Sequence, residues 1–245
     1  MQFPKIRQER LSDAIARTLE RMIVEGAFAA GERLPSERDL AIRLDVSRPS
    51  LREALHKLEV RGLLETRHGG GTYVRNTLAQ QLTDPLADLF QRHPQAGVDF
   101  IELRKTLDGM AAYYAALRGS EADRAAISAT FDAIVAAHGL DDPTVEAERD
   151  AEFHIAIAEA SHNLVLLHVV RGLMDLLRKD VLFNRDILYA HPHARDRLLE
   201  QHRAVHDAII AGDAEAARQA AQAHMAHVED VMRERRIGSA PAAVA

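Results

Sequence analysis

The sequence predicts a mainly α protein in two parts, an N-terminal winged helix-turn-helix followed by an all-α antiparallel helical bundle. Three observations carry this reading. Apolar stripes at helical spacing recur three times between residues 10 and 61, and only a few residues separate the second stripe from the third. Two short strand-like runs then flank the consecutive glycines Gly69, Gly70 and Gly71. From about Leu78 onward strand signals vanish, and Ala/Leu-rich amphipathic segments alternate with brief breakers.

The first helix spans roughly 10–25, with Leu11, Ile15, Leu19, Met22 and Ile23 on one stripe, Ser12 available near its start and Gly26 as a stop. Ser36 can cap a short second helix that carries Leu40 and Ala41 and ends near Leu44-Asp45. Ser47 caps a third, where Pro49 is tolerated in the first turn and Leu51, Ala54, Leu55 and Leu58 form the buried stripe to about Arg61. Leu63 to Thr66 and Thr72 to Val74 read as the strands of a hairpin wing. Breakers at His93-Pro94, Arg118-Gly119-Ser120, Gly139 to Pro143, Ser161-His162-Asn163, His191-Pro192 and Gly212-Asp213 divide the remainder into six or seven helices. Connections this short join antiparallel neighbours. The expected boundaries are a winged helix-turn-helix module at 1–75, a linker at 76–82, a helical domain at 83–237 and a flexible tail at 238–245.

Composition narrows the function classes. An apolar fraction of 47% with 28% charged residues is globular. No apolar run reaches the roughly 18 residues of a membrane span, and the charged start is unlike a signal peptide. The absence of cysteine excludes disulfides, thiolate metal sites and a cysteine nucleophile, so any metal falls to His and carboxylate. These features suit the cytoplasm. The net charge of −6 is uneven: residues 1–75 hold 14 Lys+Arg against 11 Asp+Glu, leaving 17 against 26 in residues 76–245. A basic first module is consistent with a phosphate-bearing partner there.

Arg48 stands in the first turn of the third helix and Arg52 one turn on, both off the apolar stripe, with Ser47 and Ser50 beside them. In a helix-turn-helix this end of the second helix meets base edges, where an arginine fork on guanine gives about 1–3 kcal/mol of discrimination. Arg38, on the preceding helix, is placed to hold a phosphate or a base at the groove edge. An arginine pair taken alone reads more simply as a solvated face. A glycine tip beside Arg67 and His68 shifts the balance, because it lets backbone approach DNA closely and core packing does not require it.

Leu34-Pro35-Ser36-Glu37-Arg38-Asp39-Leu40-Ala41, Val46 to Leu55, Gly62-Leu63-Leu64 and Gly69 to Val74 resemble the winged helix-turn-helix of GntR-family transcription regulators, over nearly all of residues 8–75. The resemblance implies DNA contacts at Arg38, Ser47, Arg48, Arg52, His68 and Gly69, and a dimer on a short palindrome with GT/AC-type half-sites. Ala30 departs from the pattern, since the family's turn often has proline there.

In the acidic part, Asp150 and His154 lie four residues apart on one face of a predicted helix, and two later helices supply His202 and His224 near their middles. Spacing alone does not single out this set, because the chain has 13 histidines and His138, His162, His168, His206 and His227 are equally available.

Residues 78–236 are similar to the FadR-type FCD ligand-binding domain, through Glu102-Leu103-Arg104, Ala111 to Leu117, Asp150 to His154, Ala158 to Asn163, and Gln201-His202 through His224. That resemblance implies a divalent ion held by Asp150, His154, His202 and His224, zinc foremost, with Ni, Fe and Mn also suited to imidazole and carboxylate. It also implies an effector carboxylate held by Arg104. Four protein ligands leave up to two positions of an octahedral shell, which a 2-hydroxy or 2-keto acid fills by chelation while Arg104 pairs with its carboxylate.

Within this branch, Lys5-Ile6-Arg7-Gln8, Asp84-Pro85-Leu86 and Ala112 to Leu117 are similar to regulators of L-lactate use, glycolate use and the pyruvate dehydrogenase complex. Lactate is therefore the first effector expected, with pyruvate and glycolate beside it. Tyr113 and Tyr114 read as packing, and Ser161 and Asn163 as a helix-break cap. The expectation is a homodimeric DNA-binding repressor and not an enzyme. Its rivals are a metal-dependent hydrolase, for which spacing offers no general base, and a bundle used only for protein docking.

Overall fold

The computed structural model describes residues 10–24, 26–28, 31–67, 70–75, 85–90, 92–93, 95–140, 142–178 and 192–238. The chain forms two compact units, Met1–Thr77 and Leu78–Ala245. The expected linker and most of the expected tail lie outside the described residues, and Gly238 closes the last helix.

In the first unit, α1 (Leu11–Val24), α2 (Glu37–Arg43) and α3 (Arg48–Val60) precede the strands β1 (Leu64–Arg67) and β2 (Gly71–Val74). Ile15, Leu19, Leu51, Leu58, Leu64 and Val74 are buried in one core, so the stripes read from the sequence do face each other. Leu11 departs from its stripe and is exposed. Ser12 is not a cap. It is buried within α1, donates to Glu53 Oε1 at 2.9 Å and accepts from Lys57 Nζ at 2.8 Å, tying α1 to α3.

The capping expectations at Ser36 and Ser47 hold: their hydroxyls accept from the Asp39 and Ser50 N–H groups at 3.2 and 3.3 Å. Between α2 and α3 the chain turns at Asp45, whose φ of 51° is one of the few left-handed positions a short polar side chain tolerates. The Val46 N–H then returns to Ala41 C=O at 3.0 Å.

The wing strands pair antiparallel with Leu64 opposite Val74 and Arg67 opposite Gly71. The stretch before α2 joins them: Leu34 N–H donates to Thr72 C=O, and Val74 N–H to Glu32 C=O, each at 2.9 Å. Gly71 is required here, since its φ is 105° and a Cβ would lie 2.7 Å from Arg33 Nε.

The second unit is helical throughout its described residues. Residues 85–90 form a short helical stretch. The long helices are α4 (Ala96–Arg118), α5 (Glu121–His138), α6 (Pro143–Ala160), α7 (Leu164–Arg178), α8 (Pro192–Ile210) and α9 (Ala214–Gly238). Ser120 and Asp123 form a reciprocal capping box at the start of α5, and Asp142 caps α6 just ahead of Pro143. Ser161 and Asn163 act as the expected helix-break cap: Ser161 Oγ accepts from the Asn163 N–H and Asn163 Oδ1 from the Leu166 N–H, each at 3.2 Å.

Helix α4 runs beside α9, α6 and α8, and carries a long buried face that includes Ile101, Arg104, Asp108 and Ala112. Gly109 sets its closest approach, because a Cβ there would lie 2.9 Å from Gln222 Cγ on α9. The core around Ile127, Phe131, Phe153, Met174 and Ile209 joins the remaining helices.

Leu58 is fully buried between α1, α3 and the wing strands. Leu58→Ala should therefore lower the stability of the first unit by about 2–5 kcal/mol, read as a shift of its chemical-denaturation midpoint.

Candidate nucleic-acid interface and metal centre

Helix α3 presents Arg48 and Arg52 to solvent from its first two turns. The guanidinium of Arg52 is gripped by Glu37 of α2, with Nη2 at 2.8 Å and Nε at 3.2 Å from Oε2, and Arg48 Nη2 lies 3.9 Å from the same oxygen. The Arg52 hydrogen bond, opposed by partial burial, holds the Glu37 carboxyl below its ordinary range. An exposed pair of this kind adds little stability; its effect is to orient the fork. Ser47 and Ser50 share a hydrogen bond of 2.8 Å between their hydroxyls, and Arg38 is exposed on α2. Arg67 pairs with Glu65 and lies over the Tyr73 ring at 4.3 Å. His68 and Gly69 lie outside the described residues.

The second site is interior. Asp150 and His154 from α6, His202 from α8 and His224 from α9 converge so that one ligand atom from each lies within 4.8 Å of all the others. All three histidines are buried. His202 Nε2 is 2.9 Å from Asp150 Oδ1, yet its geometry is not that of a hydrogen bond, and His154 Nε2 also lacks a hydrogen-bond partner. Buried nitrogens without a proton to give or receive are costly, and here they face one carboxylate oxygen at a common centre.

The surroundings orient two of the rings. His224 Nδ1 is 3.1 Å from Gln201 Oε1, so an N–H there points away from the cluster and frees Nε2 toward it. His154 Nδ1 lies 3.6 Å from Asp108 Oδ2, which in turn accepts from Arg104 Nη2 at 2.8 Å.

Electrostatics sort the protonation states. Burial pushes the Asp150 carboxyl up, but the neighbouring His154, His202 and His224 rings outweigh it and the group ionises below its ordinary value. Burial is the main reason that His154 stays neutral below its usual range, and burial beside the other two rings pushes His224 further down. An ionised Asp150 thus stands beside neutral His154 and His224, and with His202 the cluster offers three nitrogens and one oxygen, a donor set that suits a borderline divalent ion such as zinc. Because Arg104 is matched by Asp108, the Asp150 charge has no cationic side chain of its own in the cluster, so the residues present fit a bound cation.

Asp150, His154, His202 and His224, expected from the sequence, are therefore brought together in one cluster, and Arg104 is buried on α4 with its Nε lacking a hydrogen-bond partner. Two participants were missed. Asp108 is four residues after Arg104 on the same helix face, a spacing the sequence does display; Gln201 precedes His202 and carries no signal of its own. Other histidines are engaged elsewhere: His138 with Asp196 at 3.0 Å, His162 with Asp123 at 2.9 Å, and His206 with Ser128 at 2.9 Å. Tyr113 and Tyr114 pack edge to face at 5.5 Å, as expected of packing residues.

Residues 11–74 match the family of bacterial regulatory proteins called gntR, and residues 99–227 match the FCD domain. The chain belongs to the GntR family, in its FCD-bearing branch. It is 42% identical over 228 residues to an Escherichia coli (strain K12) protein named for regulating an L-lactate dehydrogenase operon, covering 91% of this chain and 87% of that one. It is 33% identical to the Glc operon transcriptional activator of the same organism, over 89% and 87% of the two chains. Similarity to the Bacillus subtilis (strain 168) regulator LutR is also 33%, over 86% and 96%.

Among solved structures, a Streptococcus agalactiae GntR protein aligns with a TM-score of 0.56 at 26% identity, over 89% of this chain and 99% of its own. This GntR protein is accordingly a DNA-binding transcription regulator, not an enzyme. No helix among the described residues is long and apolar enough to cross a membrane.

The protonation states set a pH dependence. In the unfolded chain His154 and His224 take up protons as the pH falls through about 6.5, whereas in the fold both stay neutral to lower pH. The unfolded state then binds more protons, so stability falls as the pH falls below that value. Asp150, depressed below 3.8, loses its contribution only in stronger acid. The metal-free protein should melt at a lower temperature at about pH 5.5 than at about pH 7.5, and a His154→Gln/His224→Gln variant should show a shallower dependence. A pH-independent melting temperature in the metal-free wild type would contradict this assignment.

Proposed function

We propose that this regulator is a homodimeric cytoplasmic repressor whose operator affinity is set by a small 2-hydroxy or 2-keto carboxylate, L-lactate first and pyruvate or glycolate beside it, at a metal centre in its helical domain. The observation that carries the reading is the buried anionic cluster of Asp150, His154, His202 and His224, with unpartnered ring nitrogens directed inward and Arg104 behind it. A divalent cation bound there, zinc foremost with nickel, iron or manganese as alternatives, supplies positive charge and open coordination positions for a chelating acid. Gln201 hydrogen-bonds the His224 ring, Phe153 packs edge to face on the His154 and His202 rings, and Arg104, already paired with Asp108, also meets the acid's carboxylate. Relatives named for L-lactate dehydrogenase and Glc operons support the choice of acid.

At the other end of the chain Arg48 and Arg52 read guanine edges in the major groove. Ser47, Ser50 and Arg38 position the helix on phosphates and base edges, and His68 and Gly69 serve the wing. Two copies meet a palindrome with their recognition helices about one DNA turn apart. Effector binding alters the fit of the pair, and a coupling of about 1–3 kcal/mol changes occupancy about 5- to 150-fold.

Three measurements test this. Arg52→Ala should abolish preference for a selected palindrome over bulk duplex while leaving the melting temperature unchanged; retained specificity counts against the reading. In a thermal-shift series, L-lactate, pyruvate and glycolate should raise the melting temperature of wild type, and a chelator should remove the shift. His202→Ala should lose bound metal and effector response together, and a metal-free variant that still responds would refute the chelate.

A further inference from the structure

Helix α8 opens on a charge that the fold hides. Arg195, in its first turn, is only 8% exposed, and it meets Glu146 in the first turn of α6, itself 4% exposed. Arg195 Nε lies 3.1 Å from both carboxylate oxygens, and Nη2 donates to Oε1 and, at 2.9 Å, to the His138 C=O at the end of α5. The His138 ring closes the arrangement, with Nδ1 3.4 Å from Glu146 Oε1 and Nε2 3.0 Å from Asp196 Oδ1. One guanidinium thus joins the ends of α5, α6 and α8. A buried pair of this kind is costly to desolvate, and apolar side chains of like volume would stabilise the fold as well or better. Its use lies elsewhere.

The same helix faces lead to the metal cluster. Asp150 follows Glu146 by four residues and His154 follows it by eight, so the three share one face of α6, and His202 follows Arg195 by seven, two turns along α8. Two polar contacts therefore bridge α6 and α8 in succession, Glu146 to Arg195 and Asp150 to His202. Apolar packing does little to set the register there: among residues 195–204 of α8 the buried ones are Arg195, Leu198 and His202, and only Leu198 is aliphatic. A slip of one residue along α8, about 1.5 Å, would carry His202 off the common centre, whereas metal–ligand distances tolerate only about 0.2 Å. Apolar contact is non-directional and holds such a register loosely. A guanidinium bound to both oxygens of one carboxylate holds it tightly.

We infer that Glu146 and Arg195 are a positioning pair for the metal centre: they fix α8 against α6 so that His202 meets Asp150, and they act on metal affinity and not on folding. His138 braces the pair from α5, and Asp196 holds the His138 ring from α8. The inference deepens the proposed function and rests on its metal centre. Its test needs neither DNA nor a carboxylate, so failure here is separable from failure of operator or effector binding.

The probe is zinc alone, titrated into the full chain, stripped of metal, in competition with a chromogenic chelator, with the metal-free melting temperature read in parallel. Glu146→Leu/Arg195→Met replaces both charges by apolar side chains, so neither is stranded in the core. The double variant should match or exceed the wild-type metal-free melting temperature, yet raise the zinc Kd about 10- to 100-fold. Cobalt bound in place of zinc should show an altered visible absorption there, because His202 no longer reaches the ion. Arg195→Lys keeps the charge without the fork and should give a smaller loss of affinity. Glu159→Gln, which breaks the ion pair with Arg171 at the far end of α6, should leave zinc affinity unchanged. Wild-type zinc affinity in the double variant overturns the inference and leaves the metal centre standing. A Kd that rises only in step with a falling melting temperature assigns the pair a structural role and overturns it equally. Should the double variant not fold, Arg195→Lys decides by the same two readings. A wild-type chain that takes up no zinc sinks the metal centre itself, and the inference with it.

Discussion

A carboxylate set among three buried histidines is the constraint on which the helical domain depends. Burial of His154, His202 and His224 removes water that would otherwise satisfy their nitrogens, and Asp150 keeps its charge because those rings surround it. An apolar core of the same volume would be more stable by itself. Three helices, α6, α8 and α9, meet at this point, where Gln201 is hydrogen-bonded to the His224 ring and Asp108 lies 3.6 Å from His154 Nδ1.

The first unit follows a different logic. Its core is small, and its stability rests on apolar stripes and on two serine caps that begin α2 and α3. Arg48 and Arg52, to which the proposed reading assigns the base contacts, are exposed and contribute little to folding. Glu37 ties Arg52 back to α2, so the fork is oriented before it meets a base edge and less rotamer freedom remains to be lost on binding. The helix-turn-helix angle itself is set by the left-handed Asp45 and the return of Val46 N–H to Ala41.

Much of the fold was legible from residue order because it depends on local chemistry. Caps at Ser36 and Ser47 and the breakers at 118–120 and 139–143 place helix starts within a few residues, and the glycines at 69–71 announce the hairpin. Reading went astray where a tertiary partner took over. Ser12 resembles a cap by type, but Glu53 and Lys57 hold it inside α1, and Leu11 lies on an apolar stripe yet is exposed.

The sequence by itself determined the helix boundaries, the wing, and a pool of thirteen histidines with one Asp-x3-His pair among them, since capping, periodicity and composition act over a few residues. Only the tertiary structure decided which histidines meet. His202 is 48 residues from His154 and 22 from His224 along the chain, and no local rule joins them. The packing of α4 against α6, α8 and α9 does so, while His138, His162 and His206 are drawn to Asp196, Asp123 and Ser128. Convergence across helices is a property of interhelical packing, which side-chain shape sets over the whole bundle and spacing along one segment cannot express.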